Sequence, residues 1–318
     1  MTRTDVRPER EGRHDPALYT AGMTAAAPVP LLVNRRSRRG EALGHEAAHA
    51  LLHAGVTARL TFTDDPGSAE RALREAVLAG APRVVVGGGD GSLSLAAHAL
   101  AGSGVTLGVL PLGTGNTFAR SVGVPLDLPG ACRVIAEGHV RRVDVGRLNG
   151  RAFLNSAALG TSAEIARTLT PELKRRLGLL AWPWVGLKVL LRHRALQVTV
   201  THGGGQLTVR THQVLVANGR YVAGPLRAAP DASITDGLLD VLILGDARVP
   251  SFLRAATGWA AGRRSVRLSA PELRVHAGGS RVWVSVDGDV SSVRDLRLTL
   301  ERAALNVNVP AGYVPETV

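Results

Sequence analysis

The chain has 318 residues, of which 45% are hydrophobic and 20% charged, and a formal net charge of +12. That composition can bury a core and is long enough for two domains, which excludes a fibrous or wholly disordered protein. One cysteine, Cys132, excludes an internal disulfide framework and suits a reducing, cytoplasmic setting.

Residues 1–27 are charged, then rich in Ala and Pro, and read as a disordered tail. Acidic residues and prolines among its arginines spoil a signal peptide. Met23 offers a second start for translation. The first strand is expected at 30–33, ending in Asn34 and a basic loop. A helix follows with Leu43, Ala47, Ala50, Leu51 and Ala54 on one face. A second strand at 56–62 and a second helix at 68–78 repeat the pattern. The third strand, Val84-Val85-Val86, breaks at Gly87-Gly88-Gly89, and Asp90-Gly91-Ser92 opens a third helix. A fourth strand at 105–110 runs into a second glycine turn at 111–117, which opens another helix. Strands alternating with helices imply a parallel sheet covered on both faces, with ligands beyond the carboxyl ends of the strands. Asn34, Thr63, Asp90 and Thr114 fall on that rim. Glycines admit a ligand close to the main chain, and N–H groups ahead of a helix cradle an anion. A carboxylate inside the cradle, Asp90, calls for Mg²⁺ or a donor between it and a phosphate. The plainer alternative is a helix cap.

The run 91–119 has no Asp, Glu, Lys or Arg and is long enough to span a bilayer. Its Gly, Ser and Thr content, with His98, Pro111 and Asn116, fits a protein interior instead. Beyond residue 140 the period changes. Strands are expected at 140–148, 152–157, 196–200, 207–210, 213–217, 238–244, 282–286 and 293–300, with a glycine hairpin at 203–205. Helical patterns interrupt them at 161–193 and 250–262. This is a second, mostly antiparallel domain. The positive balance favours anionic partners in general. No basic stripe interleaved with aromatics is present, nor any zinc-finger or helix-turn-helix spacing, so nucleic acid is not expected. His45, His49 and His53 share a helix face but lack a completing carboxylate or cysteine, so a solvated face is expected there rather than a metal site.

No G-x-x-x-x-G-K-[ST] occurs, which excludes a P-loop, and no Rossmann fingerprint occurs either. In order along 29–312 stand Asn34…Ser37…Gly40, Gly88-Gly89-Asp90-Gly91-Ser92, Pro111-Leu112-Gly113-Thr114-Gly115-Asn116 and Phe118-Ala119-Arg120. They continue with Asn155…Gly160, Asn218-Gly219, Asp236-Gly237-Leu238-Leu239-Asp240 and Asp287-Gly288-Asp289. Together these resemble the diacylglycerol and sphingoid-base kinase family, in particular its soluble bacterial lipid kinases. The resemblance implies an ATP-binding, NAD-kinase-like α/β domain at 28–140, to which 303–318 returns. It implies a β-sandwich lipid-substrate domain at 141–302, with the active site between the two. The nucleotide would be held by Asn34, Ser37, Thr63, Gly88, Gly89, Asp90, Gly91, Ser92, Gly113, Thr114, Gly115 and Asn116. Asp90 would act through Mg²⁺, and Asp287 or Asp289 would be the base toward the lipid hydroxyl. Asp236, with main-chain oxygens of Ser233 and Leu238, would hold a structural Mg²⁺. Ordinary Asp-Gly turns are the alternative for both carboxylate pieces.

This sequence departs from the family at Leu95, where a Glu is usual, and at Thr117, where an Asp is common. Two rival functions therefore stand beside the lipid kinase. One is a kinase of a soluble acceptor of the NAD-kinase type, and the other a nucleotide- or lipid-binding chain without catalysis. The segment 173–194 sets Trp182 and Trp184 between Lys174, Arg175, Arg176 and Lys188, Arg192, Arg194. It suits peripheral contact with an anionic membrane or, as readily, a helical hairpin packed on the β domain.

Overall fold

The computed structural model describes residues 27–37, 40–168, 184–185, 188–189, 194–244, 265–278 and 281–315. The tail (except its last residue), the Met23 start, most of 173–194 and the helical pattern at 250–262 lie outside them. The N-terminal half alternates β1 (Val29–Asn34), α1 (Gly40–His53), β2 (Ala58–Thr63), α2 (Pro66–Leu78), β3 (Arg83–Gly88), α3 (Asp90–Leu100) and β4 (Thr106–Pro111). The four strands are parallel in the order β2-β1-β3-β4. β4 is buried along its whole length and β3 along all but its first residue, as strands covered on both faces must be. Helix α2 starts on a capping box: Asp65 Oδ1 accepts from Ser68 N (3.0 Å), Asp65 N donates to Ser68 Oγ (3.3 Å), and Pro66 occupies the first turn. Strand order reverses between β1 and β3, and such a switch point opens a crevice at the carboxyl ends.

Two short helices, α4 (Thr117–Ser121) and α5 (Leu128–Glu137), lead to β5 (His139–Leu148), β6 (Arg151–Phe153), β7 (Ser156–Gly160) and α6 (Thr161–Thr168). Then come β8 (Leu196–His202), β9 (Gly205–Thr211), β10 (Gln213–Ala217), β11 (Tyr221–Ala223), β12 (Leu226–Arg227), β13 (Leu239–Leu244), β14 (Ser265–Ala270), β15 (Glu272–His276), β16 (Val282–Val286), β17 (Asp289–Val293) and β18 (Asp295–Val309). One antiparallel sheet runs β14-β13-β10-β7-β16-β17. It packs on β18, β15 and β8 through a shared core that includes Val198, Val200, Val214, Val216, Val284 and Leu298. This is the expected β-sandwich beside the expected α/β domain. Alternation along β16 turns Val282, Val284 and Val286 inward and leaves Trp283 exposed.

β18 belongs to both halves. It pairs antiparallel with β15 and β5, and through Asn306 and Val307 it pairs parallel with β4. A bulge between Glu301 and Leu305 bends it where it crosses, with Ala303 at φ 48°. The buried Asp144 of β5 clamps this bend, accepting from Ala303 N (2.6 Å) and Gly237 N (2.7 Å).

Three expectations are corrected. The single strand at 152–157 is two, β6 and β7, because the main chain breaks at Leu154-Asn155 to serve a distant carboxylate. The strand at 293–300 is the end of β17 followed by the much longer β18. Strands β11, β12, β14 and β15 were not expected at all.

Candidate active site

A cleft of about 1120 Å³ opens at the carboxyl ends of β1, β2, β3 and β4. Of the residues expected to hold a nucleotide, Asn34, Ser37, Thr63, Gly89, Gly91, Ser92, Gly113 and Thr114 line it. The two glycine turns lie backbone against backbone: a Cβ on Gly113 would collide with the Gly89 Cα. Asn34 Oδ1 accepts from Arg36 N (2.9 Å) and its Nδ2 donates to Ser92 Oγ (3.4 Å), which ties the basic loop to the start of α3. Ser37 Oγ is a buried hydroxyl with no partner. The Thr63 hydroxyl is spent on the sheet, donating to Val33 O (3.4 Å).

Gly88, Asp90, Gly115 and Asn116 do not line the cleft. Asn116 closes the second turn from within. Its Oδ1 accepts from Gly113 N (2.9 Å), and its Nδ2 donates to Gly113 O (2.9 Å) and Pro111 O (3.1 Å), with the residue at φ 49°. Asp90 is turned toward α4. Its Oδ1 accepts from Phe118 N (3.0 Å) and Asn155 Nδ2 (3.3 Å), and its Oδ2 from Thr117 Oγ1 (3.1 Å). Thr117 in turn accepts from Gly224 N (3.0 Å). A second carboxylate at position 117 would face Asp90, whereas the hydroxyl binds it. Beside Asp90, Asn155 Oδ1 is buried with no hydrogen-bond partner.

The bend between β16 and β17 brings two carboxylates to the same region with opposite surroundings. Asp287 sits at φ 47° with its carboxylate turned inward. Its Oδ1 accepts from Asn155 N and Ser156 N (2.9 Å each), and its Oδ2 from Leu154 N (2.7 Å) and Ser94 Oγ (2.5 Å). Three successive N–H groups converging on one carboxylate are what breaks the strand between β6 and β7. Burial raises the Asp287 carboxyl above the usual carboxylate range, with the four donors opposing the rise. Asp289 is 60% exposed, lines the cleft and pairs with Arg151 Nη2 (2.6 Å). Its carboxylate oxygens stand 3.8 and 4.0 Å from where a Cβ on Gly91 would lie, so it faces the first turn of α3.

Asp236 lies away from the cleft, at the joint between the halves. Its Oδ1 accepts from Leu238 N (2.9 Å) and its backbone carbonyl from Arg302 Nη2 (3.2 Å). Burial raises its carboxyl, and the negative charges of Asp240 and Asp144 raise it further. No cluster of three His, Cys, Asp or Glu side chains suited to a metal exists among the described residues. The sequence reading missed Arg151, the Asn155 and Ser94 contacts, and the apolar wall that Leu95 contributes. A paired charge across 138 residues leaves no local signal.

Residues 28–148 match the family model of the diacylglycerol kinase catalytic domain, and residues 155–309 match that of the YegS C-terminal NAD kinase beta sandwich-like domain. Fold and cleft thus define a two-domain kinase, an α/β catalytic half with a β-sandwich set against it. "Probable lipid kinase YegS-like" of Pseudomonas aeruginosa is 35% identical over 287 residues, covering 89% of this chain and 94% of that protein. "Diacylglycerol kinase" of Bacillus subtilis is 34% identical over 64% of this chain and 68% of its own length. The chain belongs to the diacylglycerol kinase family. The crystal structure of a diacylglycerol kinase from Bacillus anthracis strain Sterne has the same fold, with a TM-score of 0.73 at 23% identity, covering 90% of this chain and 98% of that one.

Proposed function

We propose that this protein transfers the γ-phosphate of ATP to a hydroxyl of diacylglycerol or a related lipid, with Mg²⁺ as the companion cation. The observation that carries this reading is the placement of Asp289 over the first turn of α3, inside the glycine-lined cleft. Phosphoryl transfer is mainly positioning and charge neutralisation. The N–H groups of the two glycine turns and the partnerless Ser37 hydroxyl supply donors to phosphates and nucleotide. Asp289 accepts the proton of the lipid hydroxyl. The freed oxygen then bonds to the γ-phosphorus as the bond to the β-phosphate oxygen breaks and ADP leaves. Asp287 positions the bend, because every one of its oxygens already accepts two hydrogen bonds.

A divalent cation, when bound, neutralises phosphate charge. Asp90 with the orphaned Asn155 Oδ1 is an oxygen donor pair that fits one or its water. Asp236, with the carbonyls of Ser233 and Leu238, is proposed as a structural Mg²⁺ site. Burial and the negative charges of Asp240 and Asp144 raise the Asp236 carboxyl, and a cation held there would offset them. The division into 28–140 with 303–318, and 141–302, is supported by the pairing of β18 with β4.

No helix among the described residues is long and apolar enough to cross a membrane. Peripheral contact with an anionic bilayer through 173–194 is supported within that segment by the exposed Trp184, and beside α6 by the exposed Trp283 of β16. Lys188 Nζ lies 5.0 Å from the Trp184 ring, and the Arg167 guanidinium lies 5.2 Å from the ring of Trp283. Val185 and Val189 pack beside Ile165 of α6.

Purified protein incubated with labelled ATP, Mg²⁺ and a total lipid extract should place the label on a lipid as a phosphate monoester. Label appearing on NAD without lipid would establish the soluble-acceptor kinase instead. Nucleotide bound with no transfer to any lipid would establish the silent homologue that Leu95 allows.

A further inference from the structure

A nucleoside triphosphate brings about four negative charges into a cleft, and phosphoryl-transfer enzymes meet them with a lysine or arginine as well as a metal. Among the described residues lining this cleft, only Arg36 and Arg151 carry fixed positive charge. Arg36 follows β1 on the α/β side. Arg151 opens β6 on the sandwich side, next to the acid proposed as base.

The mount of Arg151 is rigid. Asn149 and Gly150, at φ 49° and 86°, form the tight turn between β5 and β6. Asn149 Nδ2 donates to Asp295 O (2.8 Å), and its Oδ1 accepts from Arg297 N (2.8 Å), which pins the turn to β18. Only the side chain of Arg151 is left free to move, and it is 46% exposed. Its Nη2 lies 2.6 Å from Asp289 Oδ2, which itself stands over Gly91 in the phosphate cradle. An ion pair this exposed is worth little by itself and is exchanged at little cost. A terminal phosphate offers more charge and a better match to the planar fork of guanidinium donors.

Resting on the phosphotransfer reading above, we propose that Arg151 binds the terminal phosphate of the nucleotide, exchanging its pair with Asp289 for that phosphate. Arrival of the triphosphate draws the guanidinium onto the phosphate. Asp289 is thereby released to accept the hydroxyl proton, so the base is uncovered only when a transferable group is present.

The test is equilibrium binding of ADP and of a non-hydrolysable ATP analogue to the wild-type protein, R151Q, R151K and D289N, with thermal unfolding to confirm that each variant is folded. R151Q should weaken the triphosphate about tenfold and leave ADP within about twofold, with R151K in between. D289N should move the other way and tighten the triphosphate, because it frees the guanidinium. Equal losses for both nucleotides in R151Q, or no loss for either, would overturn the inference and leave the kinase reading intact. A wild-type protein that binds neither nucleotide would remove the proposed function, and this inference with it.

Discussion

On the α/β side of the cleft the working surface is backbone, whereas on the sandwich side it is side chain. The first wall consists of the junction of β3 with α3 at Gly89 and the glycine turn that follows β4, packed so closely that a Cβ on Gly113 has no room beside Gly89. The second wall is Arg151, Asp289 and the bend that Asp287 holds from within. A backbone wall can present several N–H groups to phosphates of any substrate, because no side chain has to be chosen for the purpose. A side-chain wall can hold a proton acceptor whose charge state and reach are set residue by residue. The comparison implies that damage to the first should act through shape, and damage to the second through charge.

The largest expected effect lies under the side-chain wall. Asp287→Asn keeps the size and tolerates φ 47°, but replaces an acceptor of four hydrogen bonds with an amide whose NH₂ must face donors. Unfolding by denaturant should show a loss of about 3 kcal/mol, the scale for buried N–H groups stripped of a charged partner. An unchanged midpoint would mean that the break between β6 and β7 does not depend on that carboxylate. Two residues on, Asp289→Asn should behave in the opposite sense. Stability should stay within about 0.5 kcal/mol, since the residue is an exposed surface position, while labelled phosphate transfer drops at least about 100-fold. Should both variants lose stability alike, the division of labour between these neighbours fails.

The backbone wall is probed by Gly113→Ala. The added Cβ meets the main chain of Gly89, which has no rotamer by which to yield. A cost of about 1–3 kcal/mol is expected, together with weakened ADP binding measured by calorimetry. Gly115→Ala should be milder, because there the nearest atom to the new Cβ is the Asp90 carboxylate at 3.1 Å, against a collision with the Gly89 Cα for Gly113.

The same contrast explains how much was legible in the sequence. Backbone walls are written locally: Val84-Val85-Val86 followed by three glycines announces a strand, a turn and a helix within nine residues. The parallel sheet, the rim with Asn34, Thr63 and Thr114, and the change to a mostly antiparallel second domain followed from such local patterns, though β14 and β15 did not. The side-chain wall is written across the chain. Asp287 breaks the strand at Leu154 from 133 residues away, and Arg151 meets Asp289 across 138. Near 152–157 only the polar pair Asn155-Ser156 interrupts the run, and such a pair looks the same whether or not a distant acid captures its N–H groups. Asp90 and Asn116 were placed with the nucleotide because their motif puts them in the turns. Which way their side chains face was decided by α4 and by the turn itself.

At the joint between the halves both devices meet, and there the smallest effect is expected. Ala303 sits in the left-handed region at φ 48°, on the bulge where β18 leaves the sandwich for β4, and its N–H is held by the Asp144 carboxylate. A Cβ in that conformation is disfavoured by about 1 kcal/mol or more, while glycine adopts it freely at the price of a more mobile unfolded chain. Ala303→Gly should therefore stabilise the protein by about 0.5 kcal/mol, seen as a small rise in the denaturation midpoint without a change in slope. The sign matters more than the size. A gain would show that the carboxylate imposes the bend on a backbone that resists it, so that side chain dictates backbone at the crossing as it does between β6 and β7. A loss would show the bend to be the relaxed course of β18, with Asp144 merely filling an acceptor position beside it.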